Sequence, residues 1–508
     1  MGKLAKEGVN STIFILMGFA IGTIANLFIY PKVCSKDELG LFKVLLNWAF
    51  VITPFITFGA SSIALKYYLH FKDKNRLGEL NFILSMYTLI GIAVFLVVFI
   101  PFSVFFIDDI ALAIMAGAKM ATGHVTTGVL MKAEYVMFVV IMFTILQAFL
   151  RVTLGLAVAT KKASNNFFIN EFLIRIMLLG CFILYYYKYV TYEGLMALIM
   201  ASFALQLLMV IYTLWSFYTS GFVRPDKADN KKILQFGLYS MLDTGANLIV
   251  TRLDMIMISL LALNATGSAQ EYDLAINIAT MVYLPWRSLS AAAAPFVSEA
   301  FHRNDMTKVD NLYKKTSLSL FLVGAAIFTF IFPNIDDIIK MIPGDYSAIK
   351  YPVLFLSIAK LIDMLGSVNG TILIMSPYYK LNLIFNLFLI VITLIANWIL
   401  IPIIGITGSA IATIIAIVLF NLAKGIFLTS KYGFSPFHNK TAVCLFFMAI
   451  IFTIGMFIPS FYHIPIVDIL IRSTIIGVFI YAFFVFMKPL QDFENMRLKI
   501  LRRFRLIS

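Results

Sequence analysis

The chain has 508 residues, of which 61% are hydrophobic and only 13% are charged, with a formal net charge of +14. This apolar content is far above that of an average soluble domain and excludes an ordinary water-soluble fold. Because lipid offers backbone amides no hydrogen-bond partner, membrane-crossing segments must be helices or the strands of a closed barrel. The apolar runs here are continuous over about 20 residues rather than alternating, which predicts an all-α integral membrane protein.

In chain order, about fourteen apolar segments follow one another with short polar breaks between them. The first begins after Lys3 and Lys6 and continues past Tyr30 without a small-residue cleavage site, so we expect a retained helix rather than a signal peptide. The predicted spans are 11–31, 41–69, 80–106, 133–158, 166–187, 193–219, 233–262, 271–301, 316–333, 350–376, 382–402, 403–429, 441–459 and 464–487.

Lysines and arginines concentrate in alternate breaks, mainly within 66–76, 161–162, 224–232 and 303–315 and in the terminal segments. The opposite breaks contain fewer basic residues and carry acids such as Asp108, Glu193 and Glu271. The positive-inside rule therefore predicts that both termini are cytoplasmic.

A weak internal repeat appears when segment 40–72 is aligned with segment 270–302, which places the second span over the eighth. This repeat predicts two six-helix lobes in the same orientation, followed by two additional helices. The expected divisions are an N-terminal lobe at 1–225, a C-terminal lobe at 226–432, two further transmembrane helices within 433–490 and a basic amphipathic cytoplasmic tail at 491–508. The longest external break runs from Ile107 to Glu134.

Charged residues inside the spans are the strongest functional signal, since one at a helix centre disfavours insertion by about 2.5–3.5 kcal/mol. A basic interior suits an anionic cargo, because phosphate oxygens accept paired hydrogen bonds from guanidinium groups. The candidate substrate-binding cations are Arg175, Arg252, Arg287, Arg151, Lys360 and Lys43. The candidates for charge balance or for binding a coupling ion are Glu171, Asp243, Asp254 and Asp363.

Some of these charges have an opposite charge three or four residues away, on the same helix face. The pairs are Glu171 with Arg175, Lys360 with Asp363, and Asp468 with Arg472. Arg151, Arg252 and Arg287 have no such neighbour, and Asp243 or Asp254 is a candidate to reach one of them across helices. Lys43 and Lys424 lie near span ends, where a long side chain reaches the membrane interface.

Catalytic and cofactor motifs are missing from the sequence. The three cysteines are isolated, the five histidines lie far apart, and no zinc motif, Walker loop, nucleophile elbow or dinucleotide fingerprint is present. We therefore expect no catalytic residue, no bound metal and no cofactor. The identity of a coupling cation, Na⁺ or H⁺, is left open.

Several segments resemble the polysaccharide transporter family of the multidrug, oligosaccharidyl-lipid and polysaccharide exporter (MOP) superfamily. The resemblance rests on Lys36-Asp37-Glu38-Leu39-Gly40-Leu41-Phe42, Phe58-Gly59-Ala60-Ser61-Ser62, Thr251-Arg252-Leu253-Asp254-Met255-Ile256 and the segment Ile401 to Ala412. It implies a MATE-like exporter fold and an O-antigen-type flippase that translocates polyprenyl-pyrophosphate-linked oligosaccharide across the bacterial inner membrane by alternating access. It also implies polysaccharide polymerases and glycosyltransferases as partners.

Other functions remain open at this level. A lipid II flippase is similar in architecture, but the first span, Ser11 to Tyr30, lacks the arginines expected of it. A cation-coupled multidrug exporter of the same superfamily would line its interior with unpaired carboxylates, which the first half lacks. A membrane enzyme of glycan assembly would carry a larger and more polar external loop, and an antiporter-like respiratory subunit would need more intramembrane glutamates.

Overall fold

The computed structural model describes residues 14, 17–105, 133–160, 166–225, 227–262, 265–378, 380–437, 440–462 and 464–487, while the side chains of 287–296, including Arg287, lie outside the description. Every regular element within these ranges is a helix. The chain forms two compact units, unit 1 at Met1–Asp273 and unit 2 at Leu274–Ser508. The boundary expected near residue 225 lies before this division, and the limits of the lobes stay a prediction.

Unit 1 contains nine helices in the described ranges and the first residues of a tenth. They are α1 (Met17–Val33), α2 (Lys36–Ile56), α3 (Ala60–Asp73), α4 (Leu77–Phe105), α5 (Ala133–Ala159), α6 (Phe168–Tyr186), α7 (Tyr192–Thr213), α8 (Trp215–Tyr218), α9 (Lys227–Leu261) and α10 (Ala265–His302). Helix α10 crosses from unit 1 into unit 2 after Asp273.

Helix α2 has well-defined ends that its sequence explains. Ser35 and Glu38 form a capping box, in which the side chain of each residue accepts a hydrogen bond from the backbone amide of the other residue. The helix ends at Ile56, and Phe58 and Gly59 have φ angles of 44° and 70° before α3 starts at Ala60. Left-handed backbone stops an α-helix, so the predicted span 41–69 is two helices separated by a short break.

Two spans of unit 1 contain π-helical turns, at Ala25–Ile29 in α1 and at Phe168–Leu173 in α6. The two helices meet through small residues, because a Cβ atom at Gly18 would overlap the backbone carbonyl of Glu171 and one at Gly22 would overlap the guanidinium of Arg175. Gly18 and Gly22 form a Gly-x-x-x-Gly strip, which lets helix backbones approach closely in lipid.

Unit 2 continues from α10 with seven further α-helices in the described residues. They are α11 (Met306–Ile331), α12 (Ile335–Met341), α13 (Lys350–Gly366), α14 (Asn369–Met375), α15 (Leu381–Tyr432), α16 (Thr441–Phe457) and α17 (Pro465–Met487). Helices α11, α16 and α17 pack around a buried apolar cluster that includes Phe321, Met448 and Ile476.

Two breaks interrupt the long helical runs of unit 2. Helices α13 and α14 meet at an angle of 41° at Ser367, whose φ is 50°. Helix α15 is interrupted at Ile404 and Gly405, where Gly405 has φ 59° and ψ −138°, a conformation that suits glycine. This break falls beside the predicted boundary between the spans 382–402 and 403–429.

Eight described helices are long and apolar enough to cross a membrane, or up to ten if each bent pair is one span, and α1 and α16 are shorter apolar helices. The chain is therefore a multi-pass membrane protein, while the number fourteen stays a prediction. The external break from Ile107 to Glu134 falls almost wholly outside the described residues, and the basic tail at 491–508 falls entirely outside them.

Candidate functional site

Polar side chains of α1, α2, α9 and α10 meet inside unit 1 and form one continuous chain of hydrogen bonds. We call it the unit 1 network, and its members are Asn26, Lys43, Asn47, Arg252 and Asp273. Lys43 Nζ lies 3.0 Å from both Asn26 Oδ1 and Asp273 Oδ2. Asn26 Nδ2 donates to Asp273 Oδ2 at 2.8 Å, and Arg252 Nη1 donates to Asn47 Oδ1 at 2.8 Å. Asn47 itself donates to the Lys43 carbonyl at 2.7 Å, which joins the two halves.

The unit 1 network combines two cations with one carboxylate in a largely buried setting. The side chains of Lys43 and Asp273 are 16% and 13% exposed, and the two asparagines are buried. The Arg252 guanidinium also stacks over the ring of Phe50, 4.9 Å from its centroid. An oxyanion entering the network would find two cationic donors whose present acceptors are two amide oxygens and one carboxylate.

Two further polar contacts flank the network. Lys36 forms an ion pair with Glu271 at 2.7 Å, and Tyr272 donates its hydroxyl hydrogen to Asp254 at 3.0 Å. Burial, and then the nearby Glu38 carboxylate, raise the pKa of the Cys34 thiol between α1 and α2. Such a thiol stays protonated and unreactive, as expected for an isolated cysteine.

The pairing of Glu171 with Arg175 in α6 is confirmed, with Arg175 Nη2 3.0 Å from Glu171 Oε2. Arg175 Nη1 also donates to the Gly18 carbonyl of α1 at 2.7 Å. This second bond ties the guanidinium to the packing of α1 against α6. Of the remaining predicted residues of unit 1, Arg151 on α5 and Asp243 on α9 are both partly buried.

A second cluster lies in unit 2 beside the break between α13 and α14. We call it the unit 2 network, and its members are Tyr283, Lys360, Asp363, Asn369 and Asn421. Asp363 accepts from the Tyr283 hydroxyl at 2.6 Å and from Asn421 Nδ2 at 3.1 Å, and Asn369 Nδ2 donates to Asn421 Oδ1 at 2.9 Å. Lys360 lies over the Tyr283 ring, 5.0 Å from its centroid.

Tyr283 is itself held in place by Trp286. The two rings stack with centroids 4.9 Å apart, and Trp286 Nε1 donates to the Ser367 carbonyl at the helix break at 3.2 Å. Lys360 and Asp363, expected as a direct pair at three-residue spacing, instead both contact Tyr283. The reason is that the tyrosine of α10 offers the carboxylate a short hydrogen bond and the ammonium a ring face.

Two sequence interpretations in unit 2 are wrong. Lys424 does not reach the membrane interface but is only 5% exposed, with Nζ 3.2 Å from Asn382 Oδ1 and 4.0 Å from the Phe420 ring centroid. Arg472 pairs with Asp337 at 3.0 Å rather than with Asp468.

The partners of Arg472 and Asp468 explain that exchange. Arg472 also donates to the Pro333 carbonyl and to Asn334 Oδ1, each at 3.0 Å. These acceptors lie beside Asp337, so the guanidinium points towards that segment and not along its own helix towards Asp468. Asp468, in the first turn of α17, accepts from the backbone amides of Phe461 and Tyr462 in the preceding loop, at 2.9 and 3.0 Å. It therefore caps the loop that precedes the helix.

Sequence reasoning missed the uncharged members of both networks. Asn26, Asn47, Tyr283 and Asn421 lie in apolar spans, where an amide or hydroxyl needs a partner. The spacing of Lys43 and Asn47, one helical turn apart, was an available signal. Asp273, the third residue of the eighth predicted span, was also absent from the predicted site residues.

An apolar cavity of about 620 Å³ lies along α16 and α17. Its walls include Phe446, Ile450, Phe457 and Ile475, and Thr453 is among its few polar residues. Among the described residues, no three histidine, cysteine, aspartate or glutamate side chains converge on a common point where a metal ion could bind.

Comparison with known proteins assigns the sequence to a family. The sequence profile of the family described as "Polysaccharide biosynthesis protein" matches residues 8–301, which is more than half of the chain. No curated protein sequence matches the chain significantly.

Solved structures share the fold at low sequence identity. A lipid II flippase, MurJ, in an inward closed conformation has a TM-score of 0.70 and 14% identity, with 94% of this chain and 99% of that chain covered. An inward-facing multidrug resistance MATE transporter of the MOP superfamily has a TM-score of 0.58 and 15% identity, covering 83% and 94%. A MOP superfamily transporter from Pyrococcus furiosus, described as having a binding pocket of reverse polarity, has a TM-score of 0.52 and 14% identity, covering 85% and 96%.

The resemblance found in the sequence is thereby confirmed. The chain belongs to the polysaccharide biosynthesis protein family and has the membrane-embedded helical fold of the MOP superfamily transporters.

Proposed function

We propose that the protein is a flippase that moves a polyprenyl-pyrophosphate-linked oligosaccharide to the outer leaflet of the bacterial inner membrane, for the synthesis of a surface polysaccharide. The observation that carries the proposal is the unit 1 network, where two cations occur with one carboxylate among apolar helices: Lys43 pairs with Asp273, and Arg252 donates to Asn47. Buried charge in a span is costly and is retained mainly where a cargo or ion uses it.

The diphosphate group would bind by exchange of acceptors. Its oxygens would replace Asn47 Oδ1 on Arg252 and Asp273 Oδ2 on Lys43, the contacts that occupy both cations in this structure. Guanidinium suits this role because its N–H groups match two phosphate oxygens at once. Arg151, Arg175, Arg287 and Lys360 complete the predicted set of cations along the pathway.

The cargo would change sides by alternating access of the two lobes, with both termini remaining in the cytoplasm. Asp363 is the proposed binding site of a coupling cation, H⁺ or Na⁺, since its carboxylate is held by neutral donors in the unit 2 network. Moving one elementary charge across 100 mV supplies about 2.3 kcal/mol. Glu171, Asp243 and Asp254 would balance the cations when no cargo is bound.

The polyprenyl chain would remain in an apolar environment during transfer. The cavity of about 620 Å³ along α16 and α17 suits part of such a chain, because its walls are almost entirely hydrocarbon. Glycosyltransferases would supply the lipid-linked oligosaccharide, and a polymerase would consume it after translocation.

The test removes one cation of the network and compares the effect with that of removing a cation outside the network on the same helix. Arg252→Ala is compared with Lys232→Ala, because Lys232 is an exposed residue near the start of α9. The measurements are the surface polysaccharide of cells that depend on each variant and the rate at which purified protein in vesicles flips a fluorescent polyprenyl-pyrophosphate sugar.

The loss of a hydrogen bond to a charged group, about 1.5–3 kcal/mol, predicts flipping about 10–100-fold slower in Arg252→Ala. Lys232→Ala should match the unaltered protein, and Arg252→Lys should recover part of the rate because it restores the charge. Unchanged flipping in Arg252→Ala, with normal membrane insertion, would refute the assigned role.

A lipid II flippase is the second candidate function. It is favoured by the coverage of the MurJ structure, which includes 94% of this chain. Vesicles that contain lipid II in place of the oligosaccharide lipid distinguish the two candidate functions. A flippase for the oligosaccharide lipid should flip lipid II at least about tenfold more slowly than its own substrate.

A further inference from the structure

The break between α13 and α14 is buried and its backbone is strained. Ser367, only 4% exposed, has φ 50° and ψ −113°, a region that residues with a side chain rarely adopt. Such a conformation persists only where the surrounding contacts impose it, and strained residues of this kind concentrate at elements that switch between states. The contacts that hold this break therefore indicate what would release it.

Neutral contacts from α10 and α11 fix the end of α13. Ser317 Oγ donates to the Leu365 carbonyl at 2.6 Å, and the Ser367 hydroxyl donates to Thr316 Oγ1 at 2.8 Å. Trp286 Nε1 donates to the Ser367 carbonyl at 3.2 Å. These three bonds join uncharged groups, so a change of charge at a neighbouring residue does not remove them. The end of α13 is thereby anchored independently of the charge of Asp363.

Asn421 of α15 ties the two sides of the break to each other. Its Nδ2 donates to Asp363 Oδ1 in the last turn of α13 at 3.1 Å, and its Oδ1 accepts from Asn369 Nδ2 in the first turn of α14 at 2.9 Å. The amide lies directly against the backbone between them, since a Cβ atom at Gly366 would be 2.1 Å from Asn421 Oδ1. Of these two bonds, the one to Asp363 involves a charged group.

The Asp363 carboxylate accepts one hydrogen bond on each oxygen. Asn421 occupies Oδ1, and the Tyr283 hydroxyl occupies Oδ2 at 2.6 Å. A protonated carboxyl group keeps one good acceptor oxygen and gains an O–H donor, and a metal ion bound to the carboxylate repels donor hydrogens. Neither form suits both donors. Neutralisation of Asp363 therefore weakens or reverses one of the two bonds.

We infer that Asn421 is a positioning residue that transmits the charge of Asp363 to the break, so that a cation bound at Asp363 frees α14 to change its angle to α13. The inference rests on the coupling role of Asp363 in the proposed function. Helix α14 has seven residues and is about 10 Å long, so straightening of the 41° bend would displace its far end by about 7 Å.

Two other charged groups lie near the break, and both are lysines. Lys360 on α13 lies over the Tyr283 ring, 5.0 Å from its centroid. Lys424 on α15 has its Nζ 3.9 Å from the position of a Cβ atom at Gly370 in α14. A coupling cation is repelled by both ammonium groups and attracted by the carboxylate. Asp363 is therefore the charge at the break that such a cation neutralises.

The experiment measures the position of α14 in purified protein by the distance between two spin labels. Labels at Asn311 on α11 and Ile374 on α14 follow α14, and labels at Asn311 and Tyr351 on α13 provide the reference distance. All three positions are exposed, and the three native cysteines are buried, so the labels attach to the introduced cysteines.

Three variants separate the charge from the tie. Asp363→Asn mimics the neutral state, Asn421→Ala removes the tie, and Leu422→Ala is the control because Leu422 is an exposed neighbour of Asn421. We expect the first two to shift the 311–374 distance by at least about 2 Å, within the limit of about 7 Å, while the reference distance stays constant. An unshifted distance in Asp363→Asn, or an equal shift in Leu422→Ala, would overturn the inference.

A second measurement uses the unaltered sequence apart from the labels and does not depend on the folding of these variants. The 311–374 distance should shift when the pH is lowered or when Na⁺ replaces choline in the buffer, and Asp363→Asn should abolish that response. A distance that is the same in all of these buffers would contradict the inference.

A third readout is the ratio of flipping rates with and without an imposed H⁺ or Na⁺ gradient. This ratio should fall towards one in Asn421→Ala and stay at the value of the unaltered protein in Leu422→Ala, and an unchanged ratio in Asn421→Ala would count against the positioning role. The label distances are measured without cargo. The Arg252 test can therefore refute the flippase while the distances shift, and constant distances can overturn this inference while the role of Arg252 stands.

Discussion

The ion pair between Lys43 and Asp273 gives a quantitative test of the unit 1 network. At 3.0 Å and an effective dielectric constant of about 20, the Coulomb attraction is about 5 kcal/mol. Removal of one partner from a buried pair costs about 3–5 kcal/mol, and the partial exposure of this pair favours the lower end. Asp273→Asn should therefore lower the stability of the protein by about 3 kcal/mol, because Lys43 loses its carboxylate.

The double variant distinguishes a coupled pair from two independent residues. Lys43→Met should cost a similar amount alone, whereas Lys43→Met with Asp273→Asn should be about as stable as either single variant, since no charge is left unpaired. For a unit of this size, about 3 kcal/mol corresponds to a fall in melting temperature of about 6–12 °C.

The assay is thermal unfolding in detergent, followed by intrinsic fluorescence. Lys350→Met serves as the control, because Lys350 and its partner Asp336 are 32% and 59% exposed and the pair should contribute less than about 1 kcal/mol. If the effects of the two single variants simply add in the double variant, the pair is not coupled and the network has been misread.

Three further substitutions test the packing and the helix breaks. Gly18→Ala should cost about 1–3 kcal/mol by forcing α1 away from α6, while Gly180→Ala, with no heavy atom within 4 Å, should be neutral in the same melting assay. Arg472→Leu should cost about 3–5 kcal/mol, because the buried Asp337 carboxylate then keeps only the exposed Lys340 as a charged partner. Lys340→Ala should cost under about 1 kcal/mol, and equal losses in the two variants would contradict the assignment. Gly405→Ala should cost about 1–3 kcal/mol because φ is 59° there, and an unchanged melting temperature would show that the break relaxes.

The helices of this protein could be predicted from composition, because a chain in lipid must satisfy its backbone internally and long apolar runs leave few choices. The interruptions were harder to predict. The break at Phe58 and Gly59 depends on left-handed backbone within a run that stays apolar on both sides, so hydropathy does not register it. The π-helical turns are equally invisible to hydropathy.

The cations of the site could be named from the sequence, but Asp273 and the partners of the cations could not. A pattern along one helix reveals neighbours at three or four residues, which is why Glu171 and Arg175 were paired correctly. Arg252 and Lys43 are instead satisfied by residues far away in the chain, and contacts of this kind require the packed helices to be known.

The π-helical turn in α6 has a consequence for how this span can be compared with others. A π-helix is an α-helix that has gained one residue, and one residue corresponds to a rotation of about 100°. The insertion at Phe168–Leu173 therefore decides which direction Arg175 and every later side chain of the span faces. In a relative without the extra residue, the same letters downstream would point at different neighbours. Roles cannot be transferred along this span by counting positions unless the insertion is first shown to be shared.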